Sequence, residues 1–306
     1  MDTQKKLESL VNQLNTVILG KSTQNHDCIT CLLACGHLLI EDVPGVGKTT
    51  LAHALARTFG LQFSRVQFTA DLMPSDLSGV SIYERNKEAF VFHPGPLFAQ
   101  VLLADEINRA SPKTQSALLE AMEEKQVTID GVTRPLPSPF FVIATQNPFD
   151  QIGTYALPES QLDRFLMRIS LGYPDRAAER ELLNGHDRRD LVEALPSLLT
   201  PAELHALQQL VLTVHAAPPL LDYVQDLIAA TRNGQWFVQG LSPRAGIAVL
   251  RAARARALLC GRDYVAPDDV QAILPQTVAH RLTPVGLAGR GASEQVRALL
   301  DAVPLP

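Results

Sequence analysis

The chain has 306 residues, of which 46% are hydrophobic and 19% charged, the balance of a folded protein with sizeable cores. Its net charge of −5 argues against a nucleic-acid binder, which carries a basic excess. No apolar run reaches the ~18 residues a membrane-spanning helix requires, and the opening MDTQKKLESLVNQL lacks the uninterrupted apolar stretch of a signal peptide. The expectation is a cytoplasmic protein.

That opening reads instead as an amphipathic helix. In the next segment Cys28, Cys31 and Cys35 have the offsets of one helix face, interleaved with Ile29, Leu32 and Leu33. They are expected as small buried hydrophobes rather than a metal or redox site. Short apolar runs then alternate with helical patterns: His37–Glu41, Gln62–Phe68, Val101–Asp105, Phe140–Thr145 and Leu166–Leu171. This alternation predicts parallel βαβ units, an α/β core with helices on both faces of the sheet. Two segments interrupt it. Ser78–Phe92 carries alternating residues where a plain fold needs only a connection, and Gln126–Leu136 has Asp130-Gly131 at its centre, a hairpin signal.

After Tyr173-Pro174 the composition turns to alanine, leucine and arginine, and 201–215, 218–232, 243–260 and 267–275 read as helices. Ser242-Pro243 is a helix start, with serine as cap and proline in the first turn. The predicted organisation is a nucleotide-binding core over 1–175, a linker over 176–200, and a smaller all-helical lid with a C-terminal tail over 201–306. The arginines of 251–256 read as a solvated helix face, Trp236-Phe237 as loop anchors, and His93 as structural.

The residues that carry chemistry begin with EDVPGVGKTT at Glu41–Thr50, which follows an apolar strand and opens a helix. A phosphate-binding loop needs that context. The expected cradle is Asp42, Val43, Pro44, Gly45, Val46, Gly47, Lys48, Thr49 and Thr50. The glycines let backbone N–H groups approach phosphate oxygens, and the helix N-terminus adds its positive dipole end. Lys48 would neutralise the terminal phosphates and Thr49 would give its hydroxyl to Mg²⁺. Asp42 stands where the full motif has its first glycine. In VLLADEINR, four apolar residues run into Asp105 and Glu106, at a strand's carboxyl end where α/β sheets bind ligands. Asp105 would hold the Mg²⁺ shell and Glu106 would polarise the attacking water. Asn147, in ATQNP, is the candidate sensor of the γ-phosphate, preferred over Gln146. Arg164 lies in LPESQLDRF, a helix opened by Pro158, and Arg244 lies in the first turn after Ser242-Pro243. An inserted arginine accelerates γ-phosphate chemistry by roughly 10³–10⁵.

Together these segments resemble the AAA+ superfamily and, within it, the MoxR family, over about residues 20–290. The resemblance rests on EDVPGVGKTTLA, RVQFTADLMPSDLSG, PGPLF at Pro94–Phe98, LLADEINRASPKTQSALLEAMEE, ATQNPFDQIGTYALPESQLDRF and SPRA at Ser242–Ala245. It implies an AAA+ P-loop core with a parallel sheet and a helical lid, ATP and Mg²⁺ as cofactors, and hydrolysis of ATP. Lys48 and Thr49 resemble the Walker A pair, Asp105 and Glu106 the Walker B pair, Asn147 sensor 1, Arg164 the arginine finger acting on the adjacent subunit, and Arg244 sensor 2. The 78–92 segment resembles the helix-2 insertion and 126–136 the hairpin before sensor 1, both of which tend to face the pore of a hexamer. The implied role is chaperone-like remodelling of protein complexes, often beside a partner with a von Willebrand factor A domain, with core and lid changing angle as Arg244 reports on nucleotide. A metal-chelatase-like subunit, a nucleic-acid motor and a small-molecule kinase are the competing readings. Arg85, Lys87, Lys125 and Arg134 are the basic residues of the insertions, offset by Glu84, Glu88, Glu123, Glu124 and Asp130, so a nucleic-acid partner is disfavoured.

Overall fold

A computed structural model describes residues 3–148, 153–185, 188–286 and 291–306. In chain order the elements are α1 (Thr3–Val17), α2 (Ser22–Leu33), β1 (Leu38–Glu41), α3 (Lys48–Thr58), β2 (Phe63–Gln67), α4 (Pro74–Ser78), β3 (Gly79–Glu84), β4 (Ala89–Pro94), β5 (Val101–Asp105), α5 (Pro112–Glu124), β6 (Gln126–Ile129), β7 (Val132–Pro135), β8 (Phe141–Gln146), α6 (Glu159–Leu162) and β9 (Met167–Ile169). There follow α7 (Arg176–Asn184), α8 (Arg188–Glu193), α9 (Pro201–Thr213), α10 (Pro218–Arg232), α11 (Pro243–Leu259), α12 (Pro267–Val278) and α13 (Ala292–Ala302).

The sheet has five parallel strands in the order β2-β5-β8-β1-β9. Every residue of β5 is buried, as a parallel strand covered on both faces requires. One face packs Leu39, Phe68, Leu102, Leu118, Val142 and Phe165 into a compact cluster with α5. The other face joins a much larger cluster that runs without interruption from α1 and α2 through the sheet to α9–α12. Lid and α/β layer therefore share one hydrophobic interior. Phe59, fully buried in that interior, is a test of it: Phe59→Ala is expected to cost about 3–5 kcal/mol, read as a lowered thermal midpoint, and an unchanged midpoint would contradict this packing.

Both predicted interruptions form hairpins, β3–β4 and β6–β7. Asp130 and Gly131 take the left-handed conformation at φ 52° and 76°, the two-residue turn that matches strand twist.

Several expectations are corrected. Cys28 and Cys31 are buried, but Cys35 is exposed because α2 ends at Leu33. Cys35 adopts φ 50° in a Schellman turn, Gly36 N–H donating to Cys31 O and Cys35 N–H to Leu32 O. The stretch 176–200, expected as a linker, carries α7 and α8. Val192 is buried, Arg57 donates to Glu193 O at 2.7 Å, and Leu198 N–H donates to Thr58 O. Arg251 and Arg256 are half-buried rather than solvated: Arg251 donates to the carbonyls of Ala34 and Cys35, and Arg256 lies 3.9 Å from buried Asp269. Phe237 is buried, and Trp236 packs partly against the large cluster. Phe149–Ile152 of the ATQNP-to-LDRF segment and residues 287–290 of the tail lie outside the described residues.

Candidate active site

The P-loop leaves the carboxyl end of β1. Gly45 and Gly47 take φ 85° and 92°, and a Cβ at either would meet nothing within 4 Å. Glycine is required there by backbone conformation rather than by space. Gly47 caps α3, so Lys48, Thr49 and Thr50 form its first turn. Lys48 Nζ donates to Asp42 O at 2.8 Å and Val43 O at 3.1 Å, holding the ammonium over its own loop. Its pKa is lowered, chiefly by desolvation, against the opposing pull of Asp42, Asp105 and Glu106.

Asp42 explains its departure from glycine. Its carboxylate accepts from the Val43 N–H at 2.9 Å, the Gly172 N–H at 2.6 Å and Ser170 Oγ at 3.1 Å. It is buried, so the charge is compensated by hydrogen bonds. The side chain ties the start of the phosphate loop to the turn after β9.

Asp105 and Glu106 end β5 beside β8. Buried Thr145 donates to Asp105 Oδ1 at 2.6 Å and accepts from the Glu106 N–H at 2.9 Å, so one hydroxyl fixes both acidic residues. Glu106 has φ 55°, a left-handed conformation uncommon for a side chain of this kind. Its Oε2 accepts from Gln67 Nε2 at 2.8 Å and Arg109 Nη1 at 2.9 Å. Arg65 Nη2 pairs with Asp105 Oδ2 at 2.7 Å. Sequence reasoning passed over Thr145, Arg65 and Gln67. The available signal was the i, i+2 spacing of Arg65 and Gln67, which puts both on one side of edge strand β2.

Among the described residues no group of three His, Cys, Asp or Glu side chains is placed to hold a metal. Mg²⁺ needs none of that kind, since it takes one or two protein oxygens together with substrate phosphates. The hard oxygen donors Thr49 and Asp105 fit that demand. Gln146 donates to Glu41 at 2.7 Å, and Glu41 also pairs with Arg168 at 3.0 Å. Half-buried Asn147 lines a cavity with Glu41, Asn108 and Thr154.

The two arginines lie elsewhere. Arg164 Nη1 donates to Leu119 O at 2.7 Å and pairs with Glu123 Oε2 at 2.6 Å. Arg244 Nη1 pairs with Glu123 Oε1 at 3.1 Å. Glu123 is in the last turn of α5, which runs back along the sheet, and the shared cleft is lined by Gly36 and His37 at the amino end of β1. Arg244 thus lies toward the amino end of β1, whereas the P-loop leaves its carboxyl end. α11 packs on α2 and α12, and this carries its first turn, with Arg244, over the end of α5.

No helix among the described residues is long and apolar enough to cross a membrane. Residues 37–167 match the ATPase family associated with various cellular activities (AAA), and residues 229–301 match the AAA lid domain. The chain is 45% identical to the protein YeaC of Bacillus subtilis, covering 100% of this chain and 96% of that one. It is 42% identical to the Chaperone MoxR1 of Mycobacterium tuberculosis, over 90% of this chain and 75% of the relative. Protein MoxR of Paracoccus denitrificans is 34% identical over 96% and 94%. The crystal structure of a candidate ATPase from Cytophaga hutchinsonii superposes with a TM-score of 0.92 at 35% identity, covering 99% of this chain and 96% of that one. With Lys48, Asp105 and Glu106 gathered at the carboxyl ends of a five-stranded parallel sheet, and a helical lid following that sheet in the chain, this chain belongs to the MoxR family of AAA ATPases.

Proposed function

We propose that the protein hydrolyses ATP with Mg²⁺ at a site completed by a neighbouring copy, and uses the cycle to remodel protein complexes as a ring, most simply a hexamer. The observation that carries this reading is the separation of parts. The phosphate loop and acidic pair occupy one end of the sheet, and Arg164 and Arg244 share a carboxylate at the other. A chain so built presents its arginines to another chain's nucleotide.

Thr49 and Asp105 would hold Mg²⁺, which supplies charge neutralisation at the phosphates. Glu106, oriented by Gln67 and Arg109, would accept a proton from the attacking water, and Asn147 would align that water or the γ-phosphate. Asp42 would couple the loop to β9.

The two hairpins support a protein client. Ile82, Tyr83, Phe90 and Val132 are exposed on them, and Arg134 lies 4.1 Å from the Phe92 ring centroid, joining one hairpin to the other. The charge of β3–β4 is partly paired internally, Lys87 on Glu84, which disfavours a nucleic-acid backbone as ligand. The name of the M. tuberculosis relative, a chaperone, agrees with this reading. A protein with a von Willebrand factor A domain is the proposed partner, and the cytoplasm the proposed compartment.

The test is ATPase rate against protein concentration. Specific activity is expected to climb with concentration as subunits associate. A rate per chain that stays constant across the dissociation range would remove the shared-site reading.

A further inference from the structure

The cleft that holds Arg164 and Arg244 is a cavity of about 240 Å³ between the end of α5, the α6–β9 junction and the start of α11. Arg164, Arg244, Arg251, Arg281 and Lys125 line it, against two carboxylates, Glu123 and Asp163. His37 also lines it but adds no charge: its Nδ1 accepts from the Val142 N–H, its Nε2 faces Met122 O, and burial pushes its pKa down to about 4.

Most of this charge is already committed. Arg281 is largely buried, bonded to Asp163 Oδ1 at 2.6 Å and to the carbonyls of Thr277, Asp163 and Phe165. Arg251 caps the end of α2. Asp163, occupied by Arg281, reaches Arg244 only at 3.9 Å. Glu123 is the carboxylate that bonds Arg164 and Arg244, one oxygen to each, at 2.6 and 3.1 Å. Two guanidinium groups brought this close repel unless an anion lies between them. Glu123 supplies that anion, and it does so through Nη1 of each arginine. The Arg164 contact to Leu119 O also runs through Nη1, and Arg244 reaches Asp163 through Nε at longer range.

We propose that Glu123 is a positioning residue that holds Arg164 and Arg244 side by side, so that both guanidinium groups meet the terminal phosphate bound by the adjacent subunit. The inference rests on the reading above, that Arg164 acts across a subunit boundary. Glu123 also stands three residues before β6, so the helix end that sets the arginines also carries the β6–β7 hairpin.

The test uses the full chain and steady-state ATP hydrolysis. Glu123→Gln keeps the shape and removes the charge; it is expected to lower kcat about tenfold or more while changing KM for ATP by less than about twofold. Adding equal Lys48→Ala chains, whose own sites are disabled but whose arginines are intact, should restore activity to Glu123→Gln. Adding Arg164→Ala chains should not. Glu123→Asp, which retains the charge, should recover part of the rate, and it replaces the glutamine variant if circular dichroism finds that one misfolded. Wild-type or higher kcat in Glu123→Gln would overturn the proposal, because Glu123 would then be competing with phosphate. So would a loss that Lys48→Ala chains fail to repair while they do repair Arg164→Ala. If they repair neither, the shared-site reading has failed and this inference falls with it.

Discussion

Equal amounts of Lys48→Ala and Arg164→Ala chains, mixed, are expected to hydrolyse ATP, although each preparation alone falls roughly 10³-fold or more below wild type. Lys48 lies over the phosphate loop, with its ammonium on the carbonyls of Asp42 and Val43. Arg164 is at the opposite end of the sheet, on Leu119 O and Glu123. No single chain in the mixture has both, but an Arg164→Ala chain beside a Lys48→Ala chain assembles one intact site. The measurement is phosphate release from the mixture against each component at the same total concentration. A mixture as inactive as its parts would mean that Arg164 works within its own chain or not on ATP at all.

The second large effect is expected at Glu106. Replacing it by glutamine should reduce turnover by about 10²–10⁴, the usual contribution of a general base, without loss of nucleotide binding. The amide oxygen can still accept from Gln67 and Arg109, and the Glu106 N–H can still donate to Thr145, so the left-handed turn is preserved. Only proton acceptance is lost. Asp105→Asn should behave differently, because it disturbs the Arg65 and Thr145 contacts as well as the proposed Mg²⁺ ligand. Single-turnover hydrolysis beside fluorescent-nucleotide binding separates the two. Turnover of Glu106→Gln within about threefold of wild type would assign the base elsewhere.

The strands and most lid helices were legible in the sequence because their signals are local. VLLAD is apolar enough to be buried on both faces, Asp130-Gly131 specifies a hairpin turn, and Ser242-Pro243 specifies a helix start. Contributions that depend on side chains meeting across strands were not legible. Thr145 fixing two acidic residues, Asp42 anchoring the loop to Gly172, and Glu123 joining two arginines from distant segments all require the folded arrangement. Charge also misled. The arginines of 251–256 read as a solvated face until Arg251 and Arg256 are seen to be half-buried. Likewise Cys35 keeps helical spacing in sequence but falls two residues beyond the end of its helix.

The continuous interior joining α1, α2, the sheet and α9–α12 has a mechanical consequence. Close-packed apolar interfaces resist gradual bending and move as blocks. A lid fused to its own α/β layer in this way turns with that layer. In the proposed ring the compliant joint is then the seam between copies, where the proposed shared site would lie. Hydrolysis at one seam would rotate a whole chain against its neighbour, carrying both hairpins as a rigid lever, and the length of that lever rather than any flexing inside the chain would set the stroke.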